Sequence, residues 1–324
     1  MISFFIRRLV PSLGTMFVMA VLLFLGLYTI GDPIEILVDP SADDAMRDQV
    51  RAQLGLDQPL YRQFMLFLGK ALHGDLGTSF VHGVPAVELI MQRLPATAEL
   101  AVVALVIAVL VGIPLGMCAG MKPQSRLAKI IMSGSILGFS LPGFWIGLML
   151  ILGFAVFLGV LPAGGRGETQ SLFGLQVSFL TLDGLRHILL PALTLSLYKT
   201  ALVIRLSRAG TREVLQQDYI KFARAKGVRS TRIIGLHVLK NIAIPIVTVI
   251  GLEFGSLIAF AVVTESVFAW PGMGKLLIES ILRLDRPVIV AYLLIVVLMF
   301  SIINLLVDLV YSLLDPRIRF RGAA

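Results

Sequence analysis

The chain has 324 residues, of which 57% are hydrophobic and only 15% are charged. Soluble globular domains carry about 25% charged residues, so this composition could not keep its apolar surface inside a water-soluble core. A mean hydropathy of +0.91 agrees with that conclusion. The composition excludes an ordinary soluble domain and indicates a protein whose main solvent is lipid.

The formal net charge of +8 lies in segments between apolar stretches. That distribution indicates membrane orientation rather than nucleic-acid binding. The single cysteine, Cys118, ends an apolar stretch, where it has no partner for an intrachain disulfide. His187 and His237 lack the spacing of metal ligands. We therefore expect this chain to bind no metal.

Apolar stretches long enough to cross a bilayer predict an all-α polytopic membrane protein with six transmembrane helices. The first stretch follows a basic start but precedes no small-residue cleavage site, so we interpret it as a retained helix. Pro142 and Gly143 interrupt the third stretch, which predicts a kink or a tilted entry. The six stretches are Leu9 to Ile30, Ala98 to Met121, Ile130 to Val160, Ile188 to Ile204, Ile242 to Val263 and Val288 to Val310.

The basic residues predict the orientation of these spans. With the N-terminus inside, 17 Lys and Arg residues lie in cytoplasmic segments and 10 in longer external ones. This asymmetry places both termini in the cytoplasm. The external segment from Gly31 to Thr97 is acidic early on, and its apolar spacing predicts two short amphipathic helices over the outer face.

The segment from Arg205 to Asn241 is polar and strongly basic. Apolar residues at helical spacing run from Val214 towards Gly227, which is a plausible helix C-cap. A second helix is expected near Ser230, whose hydroxyl can cap it. Such a segment could be a solvated loop that binds anionic lipid, or a docking element for a groove on a partner protein. Composition leaves both interpretations open.

The motifs of this segment resemble the coupling loop of permease subunits in bacterial ABC importers. The general E-A-A pattern of that family is incomplete here, because Lys221 and Phe222 replace the Glu and the first Ala before Ala223, and Pro245 lies farther from Gly227. Both departures resemble the dipeptide/oligopeptide/nickel branch, in which the stretch reads D-Y-I-x-x-A-R-A-K-G. The matching residues are Asp218, Tyr219, Ile220, Ala223, Arg224, Ala225, Lys226 and Gly227.

Further stretches resemble the same branch along nearly the whole chain. Each is weak alone, but their order is specific. They are GDP at Gly31 to Pro33, QLGLDQPLYRQF at Gln53 to Phe64, GDLGTS at Gly74 to Ser79, RLPAT at Arg93 to Thr97, ILLPALTL at Ile188 to Leu195, TESVFAWPGMGKLL at Thr264 to Leu277 and NLLVDLVYSLLDPRIR at Asn304 to Arg319.

The resemblance implies the type I ABC importer permease fold in a bacterial inner membrane. The implied organisation is an N-terminal helix with an external segment (1–97), a five-helix core that includes the loop 205–241 (98–311), and a cytoplasmic tail (312–324). It also implies that the loop couples the chain to ATPases. The implied coupling residues are Asp218, Tyr219, Phe222, Ala223, Arg224, Ala225, Lys226 and Gly227.

The same resemblance implies the partners: a second permease, two ATPase subunits and an external solute-binding protein that delivers small peptides or peptide-like solutes. The sequence contains no G-x-x-x-x-G-K-[ST] loop for nucleotide phosphates. We therefore expect ATP and Mg to bind the partner ATPases, with no cofactor and no catalytic residue on this chain. The alternative is a self-contained secondary carrier or channel, although no internal repeat is visible.

Four residues within or beside the spans are candidates for other roles. Ionisable residues inside a membrane are expensive to bury, so Glu253 is expected to line the translocation path or to bond the partner permease. Lys199 lines the path or extends its amine to the interface. Glu265 and Trp270, at the outer end of the fifth span, are candidates for contact with the binding protein, with an interfacial tryptophan anchor as the alternative.

Overall fold

The computed structural model describes residues 2–29, 43–53 and 57–314. The predicted acidic start of the external segment, the GDP motif at 31–33 and the tail from 315 onwards lie outside these residues. The helices are α1 (Ile2–Thr29), α2 (Asp44–Gln53), α3 (Leu60–Leu72), α4 (Ala86–Met121), α5 (Arg126–Ser140), α6 (Gly143–Leu150), α7 (Leu182–Gln216), α8 (Asp218–Ala225), α9 (Ser230–Arg232), α10 (Leu239–Phe260), α11 (Val262–Val267), α12 (Met273–Leu282) and α13 (Arg286–Leu314). Wider π-helical turns continue α6 over Ile151–Phe157 and join α9 to α10 over Ile233–Val238.

The long apolar helices have the dimensions of membrane spans. Among the described residues, α4, α7 and most of α13 are long and apolar enough to cross a bilayer, and two bent helix pairs raise the total to as many as five. Helix α1 contains a shorter apolar stretch, Leu13–Gly26. The described residues of the six predicted stretches lie mostly on helices, while the number of six spans and the cytoplasmic termini stay predictions.

The predicted interruption of the third stretch is confirmed as a sharp break. Helix α5 ends at Ser140, and the next helical segment leaves at an angle of 106°. Leu141 is extended, with φ −85° and ψ 138°, as expected for a residue that precedes proline. Pro142 then caps the start of α6 without an N–H to satisfy. The pair α5–α6 is therefore a broken span or a re-entrant segment rather than one straight helix.

Three glycines at four-residue spacing let α4 approach α7 closely. A Cβ atom on Gly116 would lie 2.5 Å from the carbonyl oxygen of Ile204. One on Gly112 would lie 2.7 Å from Val203, and one on Gly120 would lie 2.7 Å from Thr211. Small residues at this spacing allow helix backbones to touch, which is how apolar helices associate in lipid. These three glycines, the glycine stripe of α4, hold α7 close against α4. Helix α7 continues into the basic segment.

The structure corrects the all-α prediction at one place. Residues Gln170–Leu172 and Leu175–Val177 form a two-stranded antiparallel hairpin. Its two-residue turn has positive φ at both central residues, 50° at Phe173 and 83° at Gly174, which is the geometry of a type I′ turn. The sequence analysis missed it because Phe-Gly is an unusual turn pair and the strands have only three residues each.

The described residues form two compact units, one within residues 1–94 and 275–305, the other within 95–274 and 306–324. In the first unit, the two short helices predicted for the external segment are confirmed as α2 and α3. Helix α3 packs Phe64 and Phe67 against Phe24 of α1, with ring centroids 5.2 and 6.0 Å apart. The apolar face of α3 therefore packs half-buried aromatic rings against the first helix.

Candidate functional site

The basic segment, residues 205–241, carries nine basic and two acidic residues and begins inside α7. That helix continues to Gln216, and Gln217 interrupts it with an extended backbone, φ −66° and ψ 146°. Helix α8 then starts at Asp218 and ends at Ala225. Asp218 in its first turn and Arg224 in its last turn complement the helix dipole. The predicted helix towards Gly227 is thus divided in two by Gln217.

A Schellman motif ends α8 at the predicted glycine. Gly227 has φ +77°, and its N–H donates to the carbonyl of Arg224 at 2.9 Å. The N–H of Val228 donates to the carbonyl of Ala223 at 3.1 Å. These two bonds satisfy carbonyls that a helix end leaves open, and the positive φ favours glycine. The predicted C-cap is confirmed.

The expected cap of the second helix is wrong. Arg229 occupies the N-cap position of α9 and makes no side-chain capping bond, and Ser230 is the first helical residue. The two short helices are nevertheless joined at the glycine, as expected: its left-handed conformation ends α8, and Val228 and Arg229 lead into α9.

Ile220 is the one fully buried residue of α8 and anchors the helix to the rest of the molecule. Ile220 is fully buried in a cluster that includes Val214 of α7, Ile233 and Val238 of the following turns, and Ile242 of α10. Ala223 and Val228 pack against the same cluster. Sequence reasoning matched Ile220 to a motif but gave it no role. The hydrophobic spacing of Val214, Ile220 and Ala223 was the available signal.

The face of α8 around Phe222 is open. Tyr219 is partly engaged: its hydroxyl accepts a hydrogen bond of 3.3 Å from the Asn241 amide, and its ring centre lies 6.1 Å from that of His237. Phe222 is 62% exposed and Tyr219 is 45% exposed. The amine of Lys226 lies 4.5 Å from the centre of the Phe222 ring, within cation–π distance. Of the predicted coupling residues only Ala223 is half-buried; the exposed ones are Asp218, Tyr219, Phe222, Arg224, Ala225, Lys226 and Gly227. The face combines two aromatic rings with a positively charged rim.

The structure brings together two candidates that the sequence analysis treated separately. Lys199 of α7 forms an ion pair with the Oε2 oxygen of Glu253 on α10. Its amine also donates to the hydroxyl of Ser256 at 2.9 Å. The side chains are 12% and 26% exposed. Mutual compensation explains how both charges lie on apolar helices.

Glu265 lies at the centre of a packed polar cluster. Its side chain is fully buried, and its Oε1 accepts a hydrogen bond of 2.6 Å from the hydroxyl of Thr97 on α4. That hydroxyl also accepts the N–H of Met273 at 2.9 Å. A Cβ atom on Gly272 would lie 2.3 Å from the Glu265 carboxyl carbon, so the carboxylate occupies the space that glycine leaves. The acid binds the loop after α11 to α4.

Trp270 belongs to the same buried region. It is fully buried, and its indole N–H donates to the carbonyl of Ala96 at 2.9 Å. The guanidinium of Arg166 lies 5.8 Å from its ring. With Glu265 and Trp270 both enclosed, the predicted contact with a binding protein gains no support from this geometry and stays a prediction.

A further buried charge was missed by sequence reasoning. Glu99 of α4 receives two bonds from the guanidinium of Arg166, at 2.7 and 3.1 Å. Its other oxygen accepts the hydroxyl of Ser178 at 2.8 Å and the N–H of Phe179 at 3.0 Å. This network fixes the hairpin region to α4. The only available signal in the sequence was an acidic residue at the start of an apolar stretch. That signal does not indicate which basic residue pairs with Glu99.

The long apolar helices, the close helix packing and the exposed basic helix define a multi-pass membrane protein. The family model for binding-protein-dependent transport system inner membrane components matches residues 112–320, and the model for the N-terminal region of such components matches residues 1–101. The chain belongs to this family. It is a type I ABC importer permease of the dipeptide/oligopeptide branch, and a transport subunit rather than an enzyme.

Curated relatives match over almost the full length. The oligopeptide transport system permease protein AppB of Bacillus subtilis is 38% identical over 99% of this chain and 100% of its own length. The dipeptide permease DppB of Escherichia coli is 37% identical over the same shares. The glutathione permease GsiC of Escherichia coli K12 is 38% identical, again over 99% and 100%. The resemblance found in the sequence motifs is thereby confirmed.

A solved structure supports the fold. An inward-facing form of the MetNI methionine ABC transporter matches with a TM-score of 0.53 over 70% of this chain and 96% of that one, at 13% identity. At this identity the match concerns the fold alone, which agrees with the helical permease architecture.

Proposed function

We propose that this chain and a second permease subunit form the translocation path of an ATP-driven importer in a bacterial inner membrane. Its cargo is small peptides or peptide-like solutes, delivered by an external solute-binding protein. The relatives named for oligopeptide, dipeptide and glutathione transport support this cargo class. ATP and Mg bind to two partner ATPases, and both termini of this chain lie on their side of the membrane.

The observation that carries the coupling role is the construction of α8. A helix of eight residues is too short to be stable alone. Here it is held by Ile220 in the core and by the Schellman motif at Gly227. Its free face is therefore presented in a fixed orientation. A fixed, exposed helix face suits insertion into a groove of a partner protein.

The chemistry of that face favours a protein partner over a lipid surface. Phe222 and the exposed part of Tyr219 give two aromatic anchors, a class of residue that is enriched at protein interfaces. Lys226 lies 4.5 Å from the Phe222 ring, and Arg224 is exposed in the last turn of α8. Both charges suit an acidic rim on the partner. A segment that only attracted anionic headgroups would need the charges but not a capped and anchored helix.

Movement of α8 would be transmitted along two long helices. It follows α7 after a single extended residue and contacts the turns that lead into α10. We propose that closure of the ATPases on ATP draws α8 along and that α7 and α10 carry this displacement into the membrane. The permease pair then changes from inward-open to outward-open.

Reconstitution into vesicles tests the importer. The chain is incorporated with and without its second permease, its candidate ATPases and its binding protein, and uptake of labelled dipeptide is measured with ATP or with a non-hydrolysable analogue. Uptake is expected only for the complete set with ATP. Uptake by the chain alone would show a self-contained carrier or channel and would overturn the proposal.

Recruitment of the ATPases tests the docking face. Phe222→Ala is expected to reduce co-purification of the ATPases at least tenfold, because it removes an exposed anchor. Tyr61→Ala, on α3, is the control: it removes another exposed aromatic ring from the predicted external side. If both variants retain the ATPases equally, α8 is not the docking element.

A further inference from the structure

The ion pair between Lys199 and Glu253 has unused bonding capacity. The Lys199 amine and the Ser256 hydroxyl both donate to one oxygen of the Glu253 carboxylate, Oε2. In the part of the chain that the structure describes, the other oxygen, Oε1, accepts no hydrogen bond. A carboxylate has about four acceptor positions, so this group retains the capacity to bind a further donor. Glu253 is 26% exposed, so this chain does not fully enclose the pair.

An aromatic surface adjoins the pair. The amine of Lys199 lies 5.1 Å from the centre of the Tyr198 ring. That ring stacks on Phe139 of α5, with centroids 4.6 Å apart and an interplanar angle of 26°. Both rings are more than 40% exposed. The guanidinium of Arg205 lies 4.8 Å from the centre of the Phe139 ring. The site therefore offers a cation, an anion and an aromatic surface side by side, with a second cation on the Phe139 ring.

A structural role alone gives a weak reason for this arrangement. An apolar pair of similar volume is often as stable as a buried ion pair, or more stable, because both charges must be dehydrated. Intramembrane charges that persist in transport proteins commonly mark the route of the solute. Lys199 and Glu253 lie on the two helices that flank α8, so the site lies on the elements proposed to move.

We propose that Lys199 and Glu253 form a binding site for the two charged ends of a zwitterionic peptide. The peptide's ammonium group binds Glu253, its carboxylate binds Lys199, and an apolar side chain lies on Tyr198 and Phe139. In the structure described here the two residues bind each other and occupy the site in place of cargo. This inference rests on the proposed importer function and specifies its cargo.

Charge balance makes the site selective. When the pair opens, each residue loses its partner, and a zwitterion replaces both partners at once. A solute with one charge compensates only one residue and leaves the other uncompensated, which is strongly unfavourable away from water. The termini of an extended dipeptide are at most about 7 Å apart, and each forms a hydrogen bond of about 3 Å, so the Lys199 amine and the Glu253 carboxylate must separate to about 13 Å for cargo to bind between them.

Direct binding tests the site independently of transport. The complete importer is placed in lipid nanodiscs without ATP and without the binding protein, and is titrated with radiolabelled Ala-Ala. N-acetyl-Ala-Ala-amide, which lacks both charges, is expected to compete at least tenfold more weakly than unlabelled Ala-Ala. Free alanine is also expected to compete at least tenfold more weakly, because it is too short to bind both residues and the rings. Equal competition by either compound overturns the proposal, as does the absence of Ala-Ala binding.

Two double variants separate binding from structure. Lys199→Met with Glu253→Met removes the pair without an uncompensated charge and is expected to reduce Ala-Ala affinity at least tenfold. Lys199→Glu with Glu253→Lys is expected to stay within threefold of the unaltered importer, because a zwitterion fits a reversed pair. Full affinity in the Met variant, or loss in the reversed variant with its melting temperature unchanged, contradicts the site.

The matched control is an ion pair elsewhere, Lys275 and Glu279 of α12, whose charged atoms are 3.7 Å apart. Replacement of both by Met is expected to leave Ala-Ala affinity unchanged. The comparison of capped and uncapped peptides requires no variant, so the proposal remains testable if a variant does not fold. An unaltered importer that lacks ATP-dependent uptake would contradict the proposed function, whereas uptake without Ala-Ala binding contradicts only this site.

Discussion

Helix α8 and the loop region at residues 265–274, which joins the end of α11 to the start of α12, carry similar sequence signals: aromatic residues beside charges and glycine. The fold exposes the aromatic rings of the first and encloses those of the second. In α8 the rings of Tyr219 and Phe222 are exposed and a single isoleucine is buried. In the loop the indole of Trp270 and the carboxylate of Glu265 are both fully enclosed. Both segments were candidates for contact with a partner, and only α8 has an open face.

The difference in exposure comes from the location of the groups that hold each segment in place. The cap of α8 is local: both bonds of its Schellman motif lie within residues 223–228. The loop is held by α4, far away in sequence, through Thr97 and the carbonyl of Ala96. A local motif can be recognised in a sequence, whereas an enclosed side chain depends on which distant element covers it.

The largest expected difference in the free energy of unfolding is between substitutions of the two tryptophans of the chain. Trp270→Ala removes a fully buried side chain and leaves the Ala96 carbonyl without its donor. We expect it to lower the free energy of unfolding by about 3–5 kcal/mol, the usual range for a large buried aromatic residue. Thermal denaturation of the purified protein in detergent measures the change.

Trp145→Ala is the matched control, because that side chain is 44% exposed on α6. A substitution at an exposed position is expected to change the free energy of unfolding by about 0.5 kcal/mol or less. Equal melting temperatures for the two variants would show that the Trp270 side chain is not packed in the interior.

The next largest effect on stability is expected at Ile220, the buried anchor of α8. Ile220→Ala empties part of the cluster around Val214 and Ile233, and we expect a loss of about 2–5 kcal/mol in the free energy of unfolding. Phe222→Ala, two residues later, leaves the cluster intact and is expected to alter stability by about 0.5 kcal/mol or less.

Both substitutions should also reduce ATPase recruitment, for different reasons. Ile220→Ala loosens the helix, while Phe222→Ala removes an anchor from a helix that stays in place. Protease sensitivity of the basic segment distinguishes them: cleavage near α8 is expected to accelerate only for Ile220→Ala. Faster cleavage in the Phe222 variant would contradict the division of α8 into an anchoring face and a free face.

Local sequence signals predicted much of the fold. Apolar stretches located the long helices, Pro142 marked the break between α5 and α6, and Gly227 marked the end of α8. Each rests on backbone chemistry within a few residues: a missing N–H, a restricted residue before proline, or a permitted positive φ. The motifs around Asp218 and Gly227 also identified the family correctly.

Long-range pairing was beyond the same reasoning. Lys199 and Glu253 are 54 residues apart, and nothing in either neighbourhood indicates the other. The same holds for Arg166 with Glu99. These pairs depend on helix rotation and crossing, which follow from packing features such as the glycine stripe of α4. The sequence could identify charges on apolar helices as energetically unfavourable to bury, but it could not predict which residues would pair with them.

A glycine in the buried loop tests close packing. In Gly272→Ala the added Cβ would meet the Glu265 carboxyl carbon at 2.3 Å, so the loop must shift or the acid must move. Inserting a methyl group into a packed region typically costs about 1–3 kcal/mol. Gly134→Ala is the control: its Cβ meets nothing within 4 Å, and alanine favours the helix. A melting temperature for Gly272→Ala at or above that for Gly134→Ala would contradict the close approach.

Gly227, which ends α8, tests the other reason for a glycine: its backbone conformation, at a position where a side chain would have room. A Cβ on Gly227 would meet nothing within 4 Å, but its φ of +77° is unfavourable for residues with side chains. We expect Gly227→Ala to lower the free energy of unfolding by about 1–2 kcal/mol, the cost of the left-handed region. Gly227→Asn should lose less, although asparagine is larger, because its side chain tolerates that region. A greater loss for asparagine than for alanine would show that space, rather than backbone conformation, requires glycine here.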